Sequence, residues 1–141
     1  MKKLIILMLV VLAICTAEAT AQSYRIIVNE SNTVSSISQK ELAMVFLKKR
    51  KKWDDGTNIM PVDQKANAKV RETFSMEVFK KKVAAIRSYW QKAMFSGMAA
   101  GPDEKNSDLD VIEYVKHNKG AIGYISSTAP LNGVKVISVK E

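Results

Sequence analysis

The side chains that carry most hydrolytic and redox chemistry are scarce in this sequence. His117 is the only histidine and Cys15 the only cysteine. Cys15 lies in an apolar N-terminal run, so the chain beyond it has no thiol nucleophile, no disulfide and no Cys-based metal site. A Ser-His-Asp triad would have to use His117, and a His-rich metal site is excluded. His117 falls near the expected end of a helix, where a cation or a cap is favourable. Asp103, Glu104, Asp108 and Asp110 form an acidic cluster whose spacing does not match an EF-hand loop. A solvated loop followed by helix N-terminal charge accounts for it. No GxSxG, GxGxxG or P-loop pattern occurs. The residues indicate no enzyme, no cofactor and no metal.

Anion binding is the chemistry that remains. Asn67, Ala68 and Lys69 open an expected helix, with Gln64, Lys65 and Arg71 nearby. Free amides and the helix dipole favour an anion at such an opening. The plainer reading is an ordinary cap with surface lysines. Ser126, Ser127 and Thr128 follow an expected strand, where hydroxyls often face a ligand crevice in open α/β sheets. Asn29, Ser31 and Asn32 follow another. A turn leading to Pro130 explains the first group equally well. Lys48 to Lys52 (KKRKK) is the strongest charge feature. It suits an anion or an anionic surface, or simply a solvated loop. Trp53 stands beside it without interleaved aromatics, a poor platform for nucleic acid.

The elements that must position these residues follow from patterning. Tyr24 to Asn29 reads as a buried strand. Residues 30–37 read as a loop. Ser38 to Glu41 (SQKE) is a capping box, and Leu42, Val45 and Phe46 line one face behind it. Ile59 to Val62 contains Pro61 and reads as an edge strand or strand end. Asn67 is placed to cap a second helix carrying Val70, Phe74 and Val78. A third helix is expected from Val83 to Phe95, stopped by Gly97. Residues 98–106 read as a loop. Ser107 caps a further helix with Val111, Ile112 and Val115. Ala121 to Ile125 and Val134 to Val139 are the last strands. The expected order is β-α-β-α-α-α-β-β, an α/β layer with a partly parallel sheet.

The N-terminus has the three parts of a secretory leader. Lys2 and Lys3 precede an apolar run from Leu4 to Cys15, and Ala17-Glu18-Ala19 or Ala19-Thr20-Ala21 offers a cleavage site. The run is shorter than the roughly 20 residues of a spanning helix. Ile14 before Cys15 argues against lipidation. Residues 1–21 are thus expected to be a signal peptide and 22–141 one domain, periplasmic or secreted, with no stable membrane insertion after cleavage. Losing Lys2, Lys3 and Glu18 lowers the formal net charge from +8 to +7. A basic domain outside the cytoplasm meets anionic solutes, lipid or polysaccharide rather than nucleic acid.

Several pieces in order resemble a known family. These are Val28-Asn29 and Val34 to Ser38, Glu41-Leu42, Phe46 to Arg50 with Trp53, Asp55 and Gly56, and Pro61-Val62 before Arg71-Glu72 and Phe74. Trp90, Phe95, Gly97 and Pro102 follow, then Gly120 to Tyr124 (GAIGY). Together they resemble the substrate-binding proteins of phosphate ABC transporters in a short form. The resemblance implies one lobe of a type II periplasmic binding protein-like fold, where full-length members close two lobes on the anion. It also implies three departures. Gln64 stands where the family has Arg, Ala68-Lys69-Val70 stands for Ser-Gly-Thr, and Lys48 replaces the glycine of an FLGK stretch. The expected function is solute or anion binding, with phosphate itself doubtful. The alternative is a periplasmic adaptor or sensor-accessory protein without a small ligand. Expected partners are a small oxyanion, and an envelope protein or a second copy that supplies the missing lobe. The crevice face is expected at the C-terminal strand ends, near Asn29, Ser31, Asn32, Gln64, Asn67 and Ser126 to Thr128.

Overall fold

A computed structural model describes residues 23–141, so the expected leader lies outside the described residues. One mixed six-stranded sheet runs in the order β2-β6-β1-β5-β3-β4. Its strands are β1 (Tyr24–Asn29), β2 (Ser36–Ser38), β3 (Met60–Gln64), β4 (Asp103–Lys105), β5 (Ala121–Ser126) and β6 (Val134–Lys140). The helices are α1 (Gln39–Phe46), α2 (Lys69–Phe74), α3 (Val83–Phe95) and α4 (Asp108–His117). A π-helical turn (Ser75–Phe79) follows α2. The mixed α/β layer architecture agrees with expectation, but the element order gains β2 and β4. Both lie in stretches that read as loops, and three residues are too few to show a period.

Alternation along the central strands builds two cores. Ile26 and Val28 of β1 join Leu42, Val45 and Phe46 of α1 and Phe74 of α2 on one face. Ile27 joins Val62 of β3 and Val111, Ile112 and Val115 of α4 on the other. Phe74 is the hub of the first core. It stacks on Tyr124 with centroids 3.9 Å apart and meets Phe46 edge-on at 4.8 Å. A smaller cluster of Ile86, Trp90 and Ala93 holds α3, with Leu47 packed against it.

The local signals hold where they are purely local. Ser38 and Glu41 form the capping box of α1, and Ser107 caps α4 through the Asp110 amide. The cap of α2 differs from expectation. Ala68, not Asn67, is its N-cap and makes no side-chain bond. β3 is not an edge strand, because it lies between β5 and β4, but Pro61 does stand at a strand end, one residue into β3. Pro61 is tolerated there for a geometric reason. The Met60 amide points at β5 and donates to Gly120 O (2.9 Å), so position 61 faces the other side. There β4 begins pairing only at Val62, and no ladder bond is lost.

The two glycines of the GAIGY strand are steric necessities. A Cβ on Gly120 would lie 1.8 Å from Asn58 O. One on Gly123 would lie 2.6 Å from Val111 Cγ1 and 2.8 Å from Val62 Cγ1, inside the sheet–α4 contact.

Candidate functional site

The expected crevice residues fall at two opposite ends of the sheet. β1 runs antiparallel to β5, with Tyr24 opposite Ser126. β3 runs parallel to β5. Gln64 and Ser126 to Thr128 therefore share one end, while Asn29, Ser31 and Asn32 lie at the other. The single crevice face expected from the sequence is corrected accordingly. The reason is strand direction, which a linear pattern of strands and loops does not encode.

At the Asn29 end most polar groups are committed to the fold, although Asn32 Nδ2 is buried without a partner among the described residues. Asn29 Nδ2 donates to the carbonyls of Val115 (2.9 Å) and Lys116 (3.0 Å), closing the last turn of α4. Its Oδ1 accepts from the Ser31 amide and hydroxyl. Asn32 Oδ1 accepts from the Val34 amide (2.9 Å).

The opposite end holds a buried polar cluster. Arg71 is only 4% exposed. Its Nη1 donates to Gln64 O (2.7 Å) and to the Glu104 carboxylate, and its Nη2 lies 3.3 Å from Asp63 Oδ2. The amide of Gln64 donates through Nε2 to Asp108 Oδ1 (2.8 Å) and Tyr124 O (3.0 Å). The Ser126 amide donates to the same Asp108 oxygen (3.2 Å). Gln64, Arg71 and Ser126 are thus brought together through two acidic residues. Asn67 and Lys69 are exposed at the start of α2, and Ser127 and Thr128 are exposed beyond β5.

Burial sets the protonation of this cluster. Desolvation pushes the Asp63 carboxyl above its ordinary value, outweighing the pull of Arg71 and the hydrogen bond from Tyr124. The Tyr124 phenol donates to Asp63. It is itself pushed up, first by burial and then by the Asp63 charge.

A cavity of about 170 Å³ opens beside this cluster, lined by Arg71, Arg87, Trp90, Met94 and Glu104 among others. Sequence reasoning missed Asp63, Glu104, Asp108, Tyr124 and Arg87 as members. The acidic run of Glu104 and Asp108 carried a signal, read as solvent-facing charge. In the fold, these two residues meet Arg71 and Gln64. The arrangement suits holding charge rather than breaking bonds. His117 is far exposed and contacts Glu113 (3.2 Å). Among the described residues no three His, Cys, Asp or Glu side chains are grouped to hold a metal.

No family model and no curated protein matches the sequence. Solved structures do match the fold. An ABC-type phosphate transport receptor from Vibrio cholerae superposes with a TM-score of 0.67 at 21% identity, over 83% of this chain and 46% of that one. A chain assigned as a phosphate ABC transporter substrate-binding protein from Clostridium perfringens, solved with bound phosphate, gives 0.66 at 17% identity, over 83% and 44%. PstS from Borrelia burgdorferi gives 0.59 at 14%, over 84% and 47%. The chain has the fold of one lobe of such periplasmic binding proteins and spans less than half the length of these relatives.

Proposed function

We propose that this chain is an exported solute-binding domain, with residues 1–21 as a cleaved leader and 22–141 as a single lobe. Its ligand is a small anion seated beside Arg71, and it holds phosphate only weakly. The fold shared with phosphate receptors supports a binding role, and those relatives are transport proteins rather than enzymes. The observation that carries the reading is Arg71 itself. It is a buried guanidinium on a cavity wall, with Arg87 on the same cavity. Its outward partner is Glu104, whose side chain is 45% exposed. An external oxyanion seated there replaces one carboxylate by another anion, while Asp63 keeps the inner side of Arg71 occupied.

The same geometry explains weak binding. A tight oxyanion site pairs a bidentate Arg with several oriented donors. Here Gln64 and Ala68 supply neither, and Glu104 competes for the guanidinium. Calorimetry with phosphate should show no tight binding by the wild type. Glu104→Ala should raise the affinity about tenfold, the worth of one charge-assisted hydrogen bond. Arg71→Met in that background should abolish the gain. Sub-micromolar binding by the wild type, or no response to Glu104→Ala, would contradict the proposal. The adaptor reading is favoured by one observation, that Arg71 is already neutralised from both sides. It predicts that neither protein binds any anion in the same titration.

A further inference from the structure

One end of α3 combines the two most exposed large apolar side chains among the described residues, and a third close by, with a dense run of positive charge. Phe95 is 93% exposed, Met98 75% and Met94 62%. They are held out by a defined turn. The Gly97 amide donates to Met94 O (3.0 Å), the Met98 amide donates to Ala93 O (3.0 Å), and Gly97 takes a φ of 72°. This is a Schellman cap, so the apolar side chains sit on a shaped end. Lone exposed apolar residues are ordinary, but three together on one short turn mark a contact surface.

The basic run Lys48 to Lys52 lies beside this end. Lys48 Nζ donates to Gly101 O (3.3 Å), and Leu47 packs on the cluster that anchors α3. Lys49, Lys51 and Lys52 are exposed, as is Lys92 one turn before Phe95. Among the described residues none of these lysines makes an ion pair, whereas Arg50 is taken by Glu41 and Asp54. Lys48 has a φ of 55°, a left-handed conformation costly for any residue with a side chain. The positive charge there is thus kept at a strained position.

We propose that this end of the molecule docks on an anionic lipid surface, with Phe95, Met94 and Met98 entering the headgroup boundary and Lys48, Lys49, Lys51, Lys52 and Lys92 facing the phosphates. The charge complementarity selects lipid of negative charge over a neutral one. An apolar tip with a basic run beside it is the pattern of interfacial binding, where neither half suffices alone. The attachment is peripheral, since among the described residues no helix is long and apolar enough to cross a membrane. The surface shares Met94 with the wall of the cavity beside Arg71, but docking requires no anion in that cavity.

Cosedimentation with vesicles tests the idea, using the protein as secreted. Binding should be at least about tenfold stronger to phosphatidylcholine mixed with phosphatidylglycerol than to phosphatidylcholine alone, and should weaken as salt rises. Phe95→Ser with Met98→Ser should lower binding about tenfold at low salt. Replacing Lys49, Lys51 and Lys52 by Gln should remove the preference for phosphatidylglycerol. Equal binding to both vesicles, or no effect of either variant, would overturn the proposal. So would light scattering that shows a dimer broken by Phe95→Ser, which would assign the tip to a second copy.

Discussion

Asp63 and Tyr124 show how much a single buried hydrogen bond depends on its surroundings. The Asp63 carboxyl is buried among the hydroxyl of Tyr124, the guanidinium of Arg71 and the backbone amide of Gln64. Because burial raises its pKa above 3.8, the folded state binds more protons than the unfolded chain in the window just above that value. Stability contributed by Asp63 is therefore greatest at the acidic side and declines as pH rises through the folded pKa. Glu41 acts in the opposite sense. The Ser38 amide and hydroxyl lower its pKa, and its contribution is lost as pH falls. Asp63→Asn keeps an acceptor for Tyr124 but cannot ionise. Urea denaturation across about pH 4 to 7 should show a wild-type stability that falls with pH relative to this variant. Asp63→Ala should cost about 1–3 kcal/mol, because it leaves the buried Tyr124 hydroxyl without its acceptor while Glu104 still pairs with Arg71. A difference between wild type and Asp63→Asn that does not change with pH would contradict the burial argument. Gln64 and Arg71 were legible in the sequence as residues of a polar site. Their partners were not, because Glu104 and Asp108 come from a strand and a helix more than thirty residues away.

Elements were legible in proportion to how local their causes are. The capping box of α1, the Ser107 cap of α4, the stop at Gly97 and the alternating strands each rest on neighbours within a few residues. β2 and β4 exist only because longer strands offer them an edge, so no local pattern announces them. Lys48 joins the two cases. The end of α1 is a Schellman cap, with the Lys48 amide on Val45 O (3.0 Å) and the Lys49 amide on Met44 O (2.8 Å). Its C′ residue needs positive φ, which glycine adopts without steric cost. Here Lys48 takes a φ of 55° instead. Lys48→Gly should relieve the strain and stabilise the fold by about 1 kcal/mol, seen as a rise in Tm of roughly 4 °C. An unchanged or lower Tm would mean that the contact of Lys48 Nζ with Gly101 O offsets the strain. The same substitution removes a lysine from the proposed lipid-facing surface, so it should weaken vesicle binding while strengthening the fold.

At the scale of the whole molecule the question is what completes a site that one lobe leaves open. The sheet topology divides the expected crevice residues between two ends, and only the end with Gln64, Arg71 and the cavity beside Arg87 has a buried charge to present. A ligand there has one wall. Closure by a second wall removes water and strengthens each polar contact, whereas a half-solvated anion is screened by salt. The chain spans less than half the length of the receptors whose fold it shares, and the proposed anion-binding reading predicts that a second copy or another protein supplies that wall when the ligand is held tightly. A photo-crosslinking residue at Lys65, Asn67 or Lys69, all exposed beside the cavity end, should trap a specific adduct in cells. The same residue at Ser31, exposed at the opposite end of the sheet, should not. Adducts of equal yield from both ends would show nonspecific contact. A monomer that binds an anion tightly and gives no adduct from Lys65, Asn67 or Lys69 would show that one wall is enough.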